Sequence, residues 1–233
     1  MAENVRQALE ALRDPEVAAH SARYFKAGPG EYGAGDRFLG IRVPQLRALA
    51  RAHRDLPLEA VLEHLRSRWH EERLLALLIL VEQYRRGDAN AHERIHRAYL
   101  DHTRFVSNWD LVDASAPRLV GAHVDPNAPE LLEGLAASAS VWERRIAVLA
   151  TFDWIGRGET AAALRIADRL LEDPHDLIHK AVGWMVREVG KRDPERFEAF
   201  LAERFRRMPR TMLRYAIEKL PEARRQRYLR GEV

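Results

Sequence analysis

The sequence predicts an all-α protein built from short helices packed in antiparallel pairs. Three observations carry this. Apolar residues recur at spacings of three and four almost throughout, and no stretch alternates apolar with polar over the length of a strand. Helix-start signals recur: Asp14 before Pro15, Asp173 before Pro174, Ser107 with Asp110, Ser140 with Glu143. The connections are short, so each helix pair takes roughly 35–40 residues, the length of a helical repeat. Stacked pairs of that size make a HEAT-like α-solenoid, a superhelix with a concave, basic face. No linker divides the chain, so residues 1–233 are expected to form a single domain.

Helices are expected over about 3–13, 15–26, 44–54, 57–66, 71–86, 90–103 and 108–121. They continue over about 129–138, 141–156, 159–172, 174–191, 194–206, 210–219 and 221–229. Asp14 and Pro15 open the second. The fifth contains the longest apolar run, Leu74 to Val81, which suits a buried helix. Ser107 and Asp110 read as a capping box for the seventh, Ser140 and Glu143 for the ninth, and Asp173 with Asp176 starts the eleventh. The one long irregular stretch is Ala27 to Arg42, with glycines at 28, 30, 33, 35 and 40. No strand precedes it and no Gly-Lys-Ser/Thr ends it, so it is a loop rather than a phosphate cradle.

At 46% hydrophobic and 31% charged the chain has the composition of a globular protein, not a disordered one. It has no Cys, which removes disulfides and thiolate chemistry and fits a reducing cytosol. Met-Ala-Glu-Asn-Val-Arg at the start lacks an apolar core of the kind a signal peptide needs, and no run reaches transmembrane length. A cytoplasmic protein is expected. The net charge of +3 is uneven: Glu203 to Arg230 holds ten Lys/Arg against three Glu, leaving −4 on the rest. Such asymmetry indicates either an anionic partner near the C-terminal end or a solvated pair of basic helices.

Three helix pieces carry residues that a soluble helix does not need for packing. Trp109 and Asp113 are spaced i, i+4, on one face, while Leu111, Val112 and Ser115 point the other way. Trp184 lies off the apolar stripe of Ile178, Val182, Met185 and Val189, beside Lys180 and Arg187. It reads as an edge-packed Trp or, paired with Trp109, as part of an aromatic-lined site that attracts cations. Arg145 falls among Val141, Val148, Leu149 and Phe152 on an apolar stripe. An inward Arg calls for a carboxylate such as Asp113, or a phosphate, unless its stem carries the guanidinium out to solvent. His92-Glu93-Arg94-Ile95-His96, with His102 beyond, matches a zincin pattern, but Tyr99 stands where the turn to the third ligand requires Gly and Arg94 is charged. It reads as chance spacing on a polar helix face, and no metal is expected. Nor is there a Gly-x-Ser-x-Gly elbow.

With these residues in view, the chain resembles the DNA alkylation repair glycosylases of the AlkD type, which are built from HEAT-like repeats. The matching stretches are Phe38 to Pro44, Ser107 to Asp113 followed by Pro117 and Gly121, Trp142 to Ala147, Lys180 to Glu188, and Met208 to Glu218. They occur in the family's order and spacing, from about Arg23 to Lys219. The resemblance implies a catalytic trio of Asp113, Trp109 and Trp184, with Arg145 as the active-site arginine. It implies excision of cationic N3- or N7-alkylated purines such as 3-methyladenine and 7-methylguanine. Double-stranded DNA would lie on Arg145, Lys180, Arg187, Arg210 and Arg214, bound by a monomer without a cofactor. Asn108 departs from the family, whose best-known branch has an aromatic there. The family also has members that bind DNA without excising bases, and a HEAT-like chain can serve as a protein scaffold; both alternatives stand beside the glycosylase.

Overall fold

The protein is described by a computed structural model covering residues 2–233, which fall into two compact units, one ending at Ser115 and one spanning Ala116–Val233. The described residues form fourteen α-helices and no sheet; the one strand-like contact is an isolated bridge between Arg37 and Trp69. Every expected helix is present, most of them trimmed by one to three residues at an end.

The first unit comprises α1 (Ala2–Glu10), α2 (Pro15–Tyr24), α3 (Val43–Ala52), α4 (Leu58–Leu65), α5 (His70–Arg86), α6 (Ala89–Asp101) and all but the last residue of α7 (Trp109–Ala116), with a 3-10 turn at Thr103–Phe105. Asp14 caps α2 as its position before Pro15 predicts, accepting from the amides of Glu16 and Val17. The centre of the unit is α5, packed against α3, α4 and α6. Every residue from His70 to Leu80 is buried, so this helix has no solvent face in its first half. Leu74 to Leu80 supply the apolar core. The first turn, His70-Glu71-Glu72-Arg73, is fully polar and equally buried, and each of its four side chains has dedicated partners.

Glu71 holds the long loop. Its carboxylate accepts from three consecutive amides, Leu39 (2.9 Å), Gly40 (2.8 Å) and Ile41 (3.3 Å). Gly40 sits there at φ +84, and a Cβ would fall 2.0 Å from the Asp14 carbonyl, so only glycine lets the loop lie against the start of α2. Glu72 accepts from Ser67 Oγ (2.5 Å), His64 Nδ1 (2.7 Å) and Arg6 Nε (3.1 Å), and these contacts hold its carboxyl below the usual range against the opposing effect of burial. Arg73 donates to Asp36 (2.6 Å) and to the Ser67 carbonyl (3.2 Å).

The second unit opens with a π-helical turn, Pro117–Gly121, then α8 (Glu130–Ala136), α9 (Val141–Gly156), α10 (Thr160–Arg169), α11 (Asp176–Arg192), α12 (Pro194–Arg204), α13 (Arg210–Ala216) and α14 (Glu222–Arg230). The π-turn, α8, α10 and α11 pack on α9; α12 and α13 pack on α11. Gly121 lets the π-turn touch the Ala150 carbonyl, and the buried Trp154 indole donates to the Gly121 and Val124 carbonyls at 3.1 Å each.

Three capping assignments are corrected. Asp173 does not cap α11: the helix starts later, with His175 as N-cap, because Asp173 is drawn into an ion pair with Arg144 (2.6 Å) and accepts from the His175 amide. Asp110 does not complete a box with Ser107, because its carboxylate goes to His70; the Trp109 amide is taken by Asn108 Oδ1 (2.9 Å). Ser140 does cap α9, but Glu143 turns to Ser138 Oγ (2.5 Å).

That last contact belongs to an internal repeat the sequence hid. Ahead of α5, Ser67 Oγ donates to Glu72, accepts from the Trp69 amide, and its carbonyl accepts from Arg73. Ahead of α9, Ser138 Oγ donates to Glu143, accepts from the Ser140 amide, and its carbonyl accepts from Arg144. Arg73 and Arg144 each also clamp an Asp from a distant loop. In this register, Leu74 corresponds to Arg145.

Glu71→Ala strips three buried amides of their acceptor. It is expected to cost about 3–5 kcal/mol of unfolding free energy, read as a lower urea midpoint at unchanged slope.

Candidate functional site

The residues with exposed chemistry in the first unit lie at the start of α7. Leu111, Val112 and Ser115 are fully buried, while Trp109 and Asp113, one turn apart, are half-buried. The helix therefore spends one face on the core and keeps an indole and a carboxylate on the other. Ser115 is fixed by its own helix and by Tyr99, whose hydroxyl lies 3.1 Å away; burial in an apolar setting raises the Tyr99 pKa, so that group stays neutral.

Trp109 is held by an aromatic cluster. Phe25 stacks on it with centroids 5.2 Å apart, and Tyr24 meets it edge-on at 5.7 Å. Phe25 in turn lies 5.5 Å from Phe38, and both lie 4.8 Å from the His70 ring.

Beneath this cluster is a buried charge network. His70 Nδ1 donates to Asp36 Oδ2 (3.1 Å) and Nε2 donates to Asp110 Oδ2 (2.8 Å). Carboxylates only accept, so both ring nitrogens carry a proton and His70 is an imidazolium. Burial opposes that charge, but the two carboxylates outweigh it and raise the pKa to about 9. Burial likewise opposes ionisation of Asp36, yet His70 and Arg73 hold its carboxyl below the usual range. Asn108, fully buried, donates to Asp36 Oδ2 (3.2 Å). Two acids and two bases make the network neutral overall.

In the second unit, Ile178, Val182, Met185 and Val189 form the buried stripe of α11, and Trp184 lies off it, half-buried. Its ring tilts against Phe152 of α9 at 6.0 Å, and its Nε1 donates to Glu188 (3.1 Å). Phe152 is thus partly exposed beside Trp184 rather than part of the stripe expected around Arg145. Arg145 does face inward: it is buried, and its Nη1 donates to the Leu177 carbonyl (2.7 Å).

The other cations differ in readiness. Lys180 pairs with Asp176 (2.7 Å), which this contact pulls to low pKa; Arg187 pairs with Glu218; Arg210 donates to the Leu229 carbonyl (2.5 Å), tying α13 to α14. Arg214 is exposed and has no hydrogen-bond or ion-pair partner among the described residues. The basic excess after Glu203 is partly spent internally, on Asp168 by Arg204, Glu172 by Arg207 and Glu198 by Arg224.

The zincin-like spacing holds no metal cluster among the described residues. His92 stacks on Tyr84 and contacts its carbonyl (2.7 Å), while His102 bridges the Ala98 carbonyl and Arg66.

Sequence reasoning missed Asp36, His70 and Arg73, and singled out Asn108 only as a departure from the family, not as a donor to Asp36. A polar quartet ahead of an apolar run reads as an exposed first turn. The available signal was the run itself, which leaves α5 no polar face on which that turn could reach water.

The fold is that of an all-helical repeat protein, with an indole–carboxylate pair on one helix and, on another, a second indole set against Phe152 and Glu188. A family model described as DNA alkylation repair enzyme matches residues 5–220, and the chain belongs to that family. Two solved structures share the fold. One, titled a predicted DNA alkylation repair enzyme from Enterococcus faecalis, aligns with TM-score 0.70 and 18% identity over 90% of this chain and 97% of that one. The other, AlkD2 from Streptococcus mutans, aligns with TM-score 0.58 and 14% identity over 89% of this chain and 98% of that one. No curated protein matches the chain. No helix of the described residues is long and apolar enough to cross a membrane.

The raised His70 pKa sets a pH dependence. The folded state holds a proton that the unfolded state, with a pKa of 6.5, releases earlier. Its stabilisation is complete below about pH 6.5 and lost as pH rises through about 9, a fall of order 1–3 kcal/mol. His70→Gln should flatten urea-derived stability across that window.

Proposed function

We propose that this protein is a DNA glycosylase that hydrolyses the N-glycosidic bond of purines alkylated at N3 or N7. The observation that carries the reading is the pairing of Trp109 with Asp113 on the face of α7 that the core does not use, the indole being pinned by Phe25 and Tyr24.

The chemistry suits a single carboxylate. Alkylation at N3 or N7 makes the purine cationic, so when the bond to C1′ breaks its electron pair stays on the base, which departs neutral. No general acid has to protonate the leaving group, whereas ordinary glycosidases need one. Positive charge develops on the deoxyribose. Ionised Asp113 stabilises that charge and orients the water that attacks C1′, taking up its proton. Such a preorganised carboxylate contributes on the order of 2–4 kcal/mol to the rate. Trp109 offers its negative π-face to that cation, and the family resemblance gives Trp184 the same role.

Lys180, Arg187, Arg210, Arg214 and Arg145 are the proposed phosphate groups. They are unequal. Arg214 is ready as it stands, whereas a phosphate reaching Lys180 or Arg187 competes with Asp176 or Glu218. For Arg145, a phosphate would have to reach a buried guanidinium. The reading treats residues 1–233 as one functional domain acting as a monomer on double-stranded DNA in the cytoplasm, without a cofactor.

Incubation with methylated duplex DNA followed by chromatography should detect free 3-methyladenine and 7-methylguanine. Asp113→Asn is expected to keep duplex affinity and to slow single-turnover release about 100-fold or more. Binding that weakens with salt but releases no base would instead mark a DNA-binding protein without catalysis. Unchanged release by the variant would remove Asp113 from the mechanism.

A further inference from the structure

The mechanism leaves unused the buried charge network that joins His70, Arg73, Asp36 and Asp110. We propose that His70 is a positioning residue that fixes the pose of Trp109 and Asp113 by joining α7 and the Ala27–Arg42 loop to α5. Its effect on excision rests on the glycosylase reading; its effect on the pose of Trp109 does not.

Two routes run from His70 to Trp109. The first is through Asp110, which adjoins Trp109 on α7 and takes the His70 Nε2 proton at 2.8 Å. Asp110 Oδ1 is buried with no hydrogen-bond partner, so His70 is the only hydrogen bond to this carboxylate among the described residues. The second route is through Phe25, whose ring lies 4.8 Å from His70 and 5.2 Å from Trp109. The loop is tied to the same imidazole by Asp36, and Asn108, just before Trp109, donates to that Asp36 as well.

The charges facing His70 are Asp110 from α7, Asp36 from the loop and, on the far side of Asp36, Arg73 of α5 itself. The side chains of His70, Arg73, Asp36 and Asp110 are 2%, 6%, 9% and 15% exposed, so solvent cannot replace the imidazolium in place. Removing it changes the network from neutral to −1 and strands the Asp110 carboxylate. The cheapest relief is for the first turn of α7 to move until Asp110 reaches water. Trp109 and Asp113 move with that turn.

A role confined to stability would lower the melting temperature and leave the folded molecules unchanged. Positioning predicts more. The test uses full-length protein labelled with 5-fluorotryptophan, the Trp109 line being assigned by its loss in Trp109→Phe. In the wild type, this 19F line should be narrow and shift with an inflection near pH 9. In folded His70→Gln, the line should be displaced or broadened, and the inflection absent. Duplex affinity should hold within about twofold, while single-turnover release of 7-methylguanine at saturating enzyme falls about 10- to 100-fold, the scale of a 1 Å misplacement.

Should His70→Gln fail to fold, Asp110→Asn keeps the Asp36 and Arg73 contacts and should move the Trp109 line in the same way. An unmoved Trp109 line in a folded variant, with unchanged release, overturns the proposal. If the wild type releases no base, the glycosylase reading fails; a displaced Trp109 line in the variants would still support His70 as the group that sets the pose.

Discussion

The buried polar turn at the head of α5 is the constraint on which the first unit depends. Four ionisable side chains in succession have been taken out of water, at a desolvation cost of several kcal/mol for each charge before pairing. Each is offset by partners drawn from several segments, some of them shared: Asp36 and Asp110 on His70, the 39–41 amides on Glu71, His64, Ser67 and Arg6 on Glu72, Asp36 and Ser67 on Arg73. One turn of helix thereby fixes the glycine-rich loop, the ends of α2 and α4, and the start of α7. Apolar packing of Leu74 to Leu80 gives the unit its stability, but it would tolerate sliding. The polar contacts do not, because a shift of an ångström breaks them with nothing to replace them.

That division of labour explains how a site can be carried by a short helix after a long loop. On its own, α7 is too short to be stable. Its face is chosen by Leu111, Val112 and Ser115, and its entry angle by Asn108 and Asp110. The indole and the carboxylate are what remain once both requirements are met. The indole is then pinned by Phe25 and Tyr24.

Much of this was legible in the sequence, and the limits have physical causes. Helical periodicity located all fourteen helices because burial repeats with the pitch. The off-stripe Trp184, the inward Arg145 and the Trp109–Asp113 pair were visible for the same reason: they break a pattern that the other residues keep. Caps were less secure. Asp14 caps α2 because nothing competes for it, whereas Asp110 and Asp173 were taken by His70 and Arg144 from far along the chain. Local capping signals assume that the nearest donor wins, and here distant charged donors outbid backbone amides. The His70 network was invisible because its members are scattered between Asp36 and Asp110 and only the fold collects them.

The repeated Ser–Glu–Arg turn separates scaffold from function. Ser67, Glu72 and Arg73 lock the entry to α5 with the same bonds that Ser138, Glu143 and Arg144 use at α9, so this geometry serves helix packing in both places. Where the two copies agree, a structural role is sufficient. Where they differ, packing alone does not dictate the residue. Position by position, Val141 stands where the first copy has His70, and Arg145 where it has Leu74. Val141 is half-buried at its point, and Leu74 shows that an apolar residue serves at the buried one. A buried cation costs more than Leu or Val unless something holds its charge. For His70 that something is the pair of carboxylates beneath Trp109. For Arg145 the Leu177 carbonyl takes one of the guanidinium N–H groups. Each departure places a cation where the repeat can do without one, and the first of them is joined through Asp110 and Phe25 to Trp109.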